Sequence, residues 1–175
     1  MLTFNMSYFL GLFPRLSTAL PFTMEVIAAS ILLCLCTGTL VAVIRIAKVP
    51  FLHQLCEVWL SYNRSMPFIL DLYLVYFVLP VIVRAFRISP DGWPLTTYVL
   101  IALGFHYTPV ISEIIRPAYL SVDRGQHEAA MVFGLSPFHR VVHIIAPQAL
   151  PVALPSLVSE AINILKDTSV MFFIG

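Results

Sequence analysis

The sequence predicts an all-α polytopic membrane protein with four transmembrane helices, built as a single domain over residues 1–175. Three observations lead there. Charged residues make up 11% of the chain and hydrophobic residues 59%, whereas about a quarter of an ordinary globular chain is charged. Mean hydropathy is +0.92, which suits a bilayer as solvent. The long apolar runs are closed by basic residues: Arg45 and Lys48 end the first, and Arg64 and Arg84 bracket the second. The formal net charge of +1 comes without a basic cluster, so nothing here would track a phosphate backbone and no nucleic acid is expected.

The elements follow in order. Residues 1–19 are a mixed lead-in containing Pro14 and Arg15, suited to the interface. The first span is expected over 20–44. Its core, 26–44, carries no charge and is long enough to cross about 30 Å of hydrocarbon. Cys34 and Cys36 lie two apart on it and point to different sides of a helix. With Cys56 they read as packing residues rather than a disulfide or metal framework. The N-terminus lacks a basic region and a small-residue cleavage site, so the first span is expected to stay in place. Pro50 opens a polar connector that runs to Trp59.

The second span is expected over 66–83, with Asp71 inside it. A charge within a span costs a few kcal/mol; it reads either as facing a partner or water path, or as solvated near the interface. Ser89-Pro90-Asp91-Gly92 is turn chemistry, and Trp93 and Tyr98 read as interfacial aromatics. The third span, 95–115, carries His106, read as a packing residue because no second metal ligand stands nearby. Glu113 and Arg116 are three apart on one face and suited to pair. The fourth span, 142–165, contains Pro147, Pro151 and Pro155 at four-residue intervals. Prolines so placed remove backbone hydrogen bonds and bend a helix. Irregular backbone at membrane depth needs cover from protein or a water-filled cavity, which makes Pro155 and the nearby Asn163 candidates for a pathway.

Between the third and fourth spans lies the segment 121–141, which has its own punctuation. Gln126 to Phe133 reads as a short helix with Ala129, Ala130, Val132 and Phe133 on an apolar side. Gly134 stands where a helix end requires positive φ. Ser136 suits the N-cap and Pro137 the first position of a second helix. On physical grounds alone this corner is an amphipathic connector at the bilayer surface.

The residues around it carry a resemblance. Glu128-Ala129-Ala130, Gly134, Ile144 and Pro147 stand in the spacing E-A-A-x3-G-x9-I-x-L-P, which resembles the EAA loop of ABC-importer permeases, with Ala146 in place of Leu. Arg64-Ser65-Met66-Pro67, Tyr76-Phe77 and Leu79-Pro80 resemble the "RGTP…YF-LP" stretch of polar-amino-acid importer permeases. There Ser65-Met66 replace Gly-Thr and Asp71 stands where Gln is common. Glu113 and Arg116 resemble the family's "E-x-x-R", with Val110 in place of a Tyr. Pro147-Gln148-Ala149, Leu154-Pro155 and Leu165-Lys166-Asp167-Thr168-Ser169 resemble "PQA…LP…LKDTS", with Ser159 for Asn.

The resemblance implies the transmembrane subunit of an ABC importer for a polar amino acid or similar small solute. Its implied coupling residues are Gly125, Gln126, Glu128, Ala129, Ala130 and Gly134, on a cytoplasmic helix that docks on the ATPase. Its implied translocation residues are Asp71, Pro155, Asn163, Lys166, Asp167, Thr168 and Ser169. The implied partners are ABC ATPase subunits, a second permease (identical or not), an extracytoplasmic solute-binding protein and the lipid bilayer. No cofactor, metal or catalytic residue is implied. No G-x-x-x-x-G-K-[ST] loop, G-x-S-x-G elbow or H-E-x-x-H motif occurs, so ATP hydrolysis belongs to a partner chain and the chain itself is not read as an enzyme.

Family members continue past Ile174-Gly175 into a fifth span, so this chain is expected to carry four of five core helices. A truncated, non-transporting membrane partner is the competing function. A secondary carrier would need inverted repeats, and the two halves show no such symmetry. With the loop placed inside, Arg45, Lys48, Arg64, Arg116, Arg124 and Arg140 are cytoplasmic, while Arg15, Arg84 and Arg87 are outside. The positive-inside rule favours that orientation and puts the N-terminus outside a bacterial inner membrane.

Overall fold

The computed structural model describes residues 5–174. Among these every regular element is a helix and there is no strand. Helix α1 spans Met6–Ile46. It begins well before residue 20, because the Asn5 side chain accepts from the Tyr8 amide and caps it. The lead-in expected at the interface is therefore part of one long helix. Helix α2, Leu52–Asn63, replaces the expected connector. Its buried residues, Cys56, Leu60 and Asn63, recur at helical spacing; Cys56 and Leu60 pack against Val41 of α1, and Asn63 bonds to His106.

The second crossing is composite. Helix α3 (Phe68–Tyr73) leads into a π-turn at Leu74–Val78 and then α4 (Leu79–Ala85). The fourth is built the same way, with α7 at Pro137–Arg140, a π-turn at Val141–Ile145 and α8 at Ala146–Asp167. Each π-turn ends just before a proline. Leu79, before Pro80, donates to Leu74 O, and Ala146, before Pro147, donates to Val141 O. A proline ring crowds the carbonyl four residues back, and a wider i→i+5 turn accommodates it. Helix α8 continues through Pro151 and Pro155, so the change of register is concentrated at Val141–Ile145 rather than spread over the proline series. A 3₁₀ segment, Thr168–Phe173, follows α8.

Helix α5, Leu95–Leu120, is the centre of the fold. Over half of its most apolar stretch is buried, against a third or less for the other three helices long and apolar enough to cross a membrane. Val99, Ala102, Leu103, Tyr107 and Ile111 of α5 form the core with Cys34 of α1, Phe68, Leu72 and Val75 of the α3 segment, and Ile164 of α8. Small residues bring the axes together, as membrane helices require in the absence of a hydrophobic drive between them. A Cβ on Gly38 would lie 2.6 Å from Ile111 Cβ. Cys34 is buried and its thiol faces Leu103 O at 3.6 Å, whereas Cys36 is exposed. The two do point apart, but Cys36 is not the packing residue expected.

Candidate coupling surface and translocation residues

Helix α5 runs into α6, Arg124–Val132. The Asp123 carboxylate accepts from the Gly125 amide at 2.7 Å and starts α6, a cap that sequence reasoning missed. The Tyr119 and His127 rings meet edge to face, 5.3 Å apart, and hold α6 against the end of α5. The helix ends as expected. Gly134 has φ +73°, its amide donates to Met131 O, and the Leu135 amide donates back to Ala130 O. Both bonds satisfy carbonyls orphaned at the helix end. Ser136 then caps α7, with its hydroxyl accepting from the His139 amide and Pro137 in the first turn.

This corner divides its residues between two faces. Ala130 is buried against the chain. Gly125, Gln126, Glu128, Ala129 and Gly134 are exposed. Beside them stand Val132, 86% exposed, Phe133, 85% exposed, and Phe138, 71% exposed. The apolar side expected for the first helix is thus split: Ala130 turns inward, while Ala129, Val132 and Phe133 are exposed. These large apolar side chains form an exposed cluster at the corner between α6 and α7.

The translocation candidates fall into two groups. Pro155, Ser159, Asn163 and Lys166 follow one another at three- and four-residue spacing along one stripe of α8. Pro155, Ser159 and Lys166 are exposed, and Asn163 donates to the Glu160 carboxylate at 3.1 Å. Ser169 is also exposed. Thr168 is turned inward, its hydroxyl bonded to Leu165 O at 2.7 Å. Asp167 accepts from the Tyr107 hydroxyl of α5 at 2.7 Å.

Asp71 does not join that stripe. It is fully buried and accepts from Tyr62 Oη at 2.8 Å, with His106 Nδ1 at 2.7 Å. Asn63 completes the cluster by donating to His106 O at 2.8 Å. A buried carboxylate has to be partnered, and here Tyr62 of α2 and His106 of α5 partner it. Burial and the bond to Asp71 push the Tyr62 phenol up to about 12, so it remains a donor across the physiological range.

Glu113 pairs with Arg64 of α2 rather than with Arg116. The pairing three residues away on the same helix loses to one from a packed neighbour. Arg45, 5% exposed, bridges Glu57 at 2.9 Å and Ser112 at 3.2 Å. Its hydrogen bond holds the Glu57 carboxyl below the usual carboxylate range. Among the described residues no group of three His, Cys, Asp or Glu side chains is placed to hold a metal.

Four helices long and apolar enough to cross a membrane, packed around α5 with a capped two-helix corner between the last two, are the architecture of a multi-pass membrane protein. The chain belongs to the family of binding-protein-dependent transport system inner membrane components, which it matches over residues 34–175. It is the permease subunit of an ABC importer, a class that works with ATPase and binding-protein partners. It is 34% identical over 172 residues to PatM of Vibrio harveyi, described as a probable amino-acid ABC transporter permease; the match covers 98% of this chain and 75% of that protein. It is 33% identical to the L-cystine transport system permease TcyL of Bacillus subtilis, covering 98% of this chain and 72% of that one. In fold it is similar to a crystal structure of an amino acid ABC transporter with histidines. The TM-score is 0.80 at 24% identity, over 99% of this chain and 78% of that chain.

Proposed function

We propose that the chain moves a polar amino acid or similar small solute across a bacterial inner membrane, driven by ATP hydrolysis on a separate subunit. The observation that carries the coupling half of this reading is the exposed Val132–Phe133–Phe138 face beside Glu128 and Ala129. The loop 121–141 docks there on the ATPase, with Gly125, Gln126, Glu128, Ala129, Ala130 and Gly134 shaping the contact. Ala130 acts from beneath, by seating α6 on the chain.

The exposed apolar face of α8, with Leu150, Leu154, Val158 and Ile162, suits a second permease, so that two copies or sister chains enclose the path. Pro155, Asn163, Lys166, Asp167 and Ser169 border it, while Asp71 and Thr168 act from inside the chain by holding its helices. A solute-binding protein delivers from the outer side, where the N-terminus lies. The amino-acid class rests on the relatives' substrates and on the polar stripe of α8.

Co-purification with candidate ATPase subunits tests this, using wild type and Gly134→Asp. No atom lies within 4 Å of where the new Cβ would be, and Asp tolerates positive φ better than most residues. The variant therefore adds a charge to the docking face without a steric clash, and its strain is confined to the backbone at φ +73°. Retention of ATPase by wild type and its loss by the variant is the expected result. Equal retention by both removes the loop from the contact, and retention without uptake of any amino acid in proteoliposomes overturns the transport reading.

A further inference from the structure

Three consecutive residues of the central helix each bind a different neighbour. His106 Nδ1 lies 2.7 Å from Asp71 of α3. The Tyr107 hydroxyl donates to Asp167 of α8 at 2.7 Å. Thr108 Oγ1 is 2.6 Å from Thr37 Oγ1 of α1. Consecutive helical residues are about 100° apart around the axis and about 1.5 Å apart along it. A run of three therefore reaches three directions at one depth. Pro109 follows at once, so this collar sits where the helix's own ladder lacks a donor.

The three ties differ in what surrounds them. Asp71 is fully buried and has further support from Tyr62. Thr37 and Thr108 lie at the close approach of α1 and α5, beside Gly38 and Ile111. The Tyr107–Asp167 bond stands nearer the rim. Tyr107 is buried and its ring packs on Phe68 and His106, but Asp167 is only half-buried and ends α8. The flanking Lys166 and Ser169 are exposed. A carboxylate there exchanges a phenol for water with little desolvation cost, which the Asp71 carboxylate cannot do. Of the two carboxylates in the collar, it is the one suited to open and close.

We propose that Tyr107 is a positioning residue whose hydroxyl ties Asp167, and with it the far end of α8, to the helix that runs into the coupling corner. This rests on the reading of α8 as a pathway helix. Release of the tie lets α8 lean from α5, and its closure returns α8 to the arrangement seen here. Because α5 ends at Leu120 and α6 begins at Arg124, only three residues separate α5 from the helix of the docking face.

The test is hydrogen exchange on the full chain in lipid nanodiscs, comparing wild type, Tyr107→Phe, Asp167→Ala, the double variant and Thr37→Val. Tyr107→Phe removes one oxygen and keeps the ring packing. Exchange over residues 165–174 is expected to rise about three- to tenfold, the range an interhelical hydrogen bond in a membrane supports. Asp167→Ala should match it and the double variant should exceed neither. Thr37→Val should leave 165–174 at the wild-type rate. An unchanged rate in Tyr107→Phe, a rise spread over all helices, or multiplied effects in the double variant would each overturn the tie. A second arm uses the complex with its ATPase. There, solute-free hydrolysis is expected to rise about threefold in Tyr107→Phe and not in Thr37→Val. A shift in exchange without one in hydrolysis would overturn the link to transport. The exchange arm needs neither ATPase nor solute, so it decides the tie even if the transport reading fails.

Discussion

Gly38→Ala is expected to push α1 and α5 apart, and the structure sets by how much. The added Cβ would lie 2.6 Å from both Ile111 Cβ and Ile111 Cγ2, and 3.1 Å from Thr108 O. Carbon atoms pack at about 3.5–4.0 Å, so the overlap is about 1 Å. Ile111 Cβ is fixed to the backbone and no rotamer change moves it. Ile111 is also buried, so the helices themselves must separate. Overpacking of this kind costs about 1–3 kcal/mol. A separation of about 1 Å also stretches the 2.6 Å Thr37–Thr108 contact beyond hydrogen-bond range, adding about 0.6 kcal/mol. The total of about 2–4 kcal/mol corresponds to a fall in melting temperature of roughly 4–16 °C for a chain of this size.

Thermal melts in detergent measure it, with Ile111→Gly as the second background. Ile111→Ala does not serve, because it keeps the offending Cβ. In the Ile111→Gly background the added methyl should cost little. Gly104→Ala is the internal control: its Cβ would meet Leu33 Cδ2 at 3.0 Å, the end of a flexible side chain that can turn aside. Equal losses from Gly38→Ala in both backgrounds, or no loss in the first, would refute the close-contact argument.

The other predictions concern polar groups and the docking face. Asp71→Ala strands the Tyr62 hydroxyl and His106 Nδ1 and is expected to cost about 3–5 kcal/mol, whereas Asp71→Asn keeps an acceptor and should cost clearly less in the same melts. Glu57 has a folded-state pKa lowered chiefly by its hydrogen bond from Arg45. Its contribution is therefore fully present above the ordinary carboxylate range and disappears as pH falls through the lower folded value. Wild-type melting should drop below about pH 4.5 more steeply than that of Glu57→Gln, and modestly, since the side chain is 45% exposed. Phe133→Ser removes an 85% exposed ring and should abolish ATPase retention while leaving the melting temperature within about 1 °C.

Local signals in this chain were legible because their partners are close in sequence. The Gly134 turn, the Ser136-Pro137 start and the 89–92 turn all depend on residues within a few positions. So did the opposite placement of Cys34 and Cys36, which follows from the helical period alone. Hydropathy outlined the apolar helices for the same reason. It understated α1 and missed α2, because Asn5 caps a helix that Pro14 and Pro21 obscure and because α2 mixes His53 and Glu57 with its buried stripe.

By itself the sequence determined the helical membrane class, the family and the punctuated corner at 121–141. Only the tertiary structure decided which charges meet. Asp71 meets Tyr62 and His106, and Glu113 meets Arg64 rather than Arg116 on its own helix. Which partners meet depends on the rotation and register of one packed helix against another, and no spacing within a single helix encodes that. The same reason hides the collar at His106-Tyr107-Thr108: three ordinary residues in a row become a junction only when Asp71, Asp167 and Thr37 arrive from three separate helices at one depth.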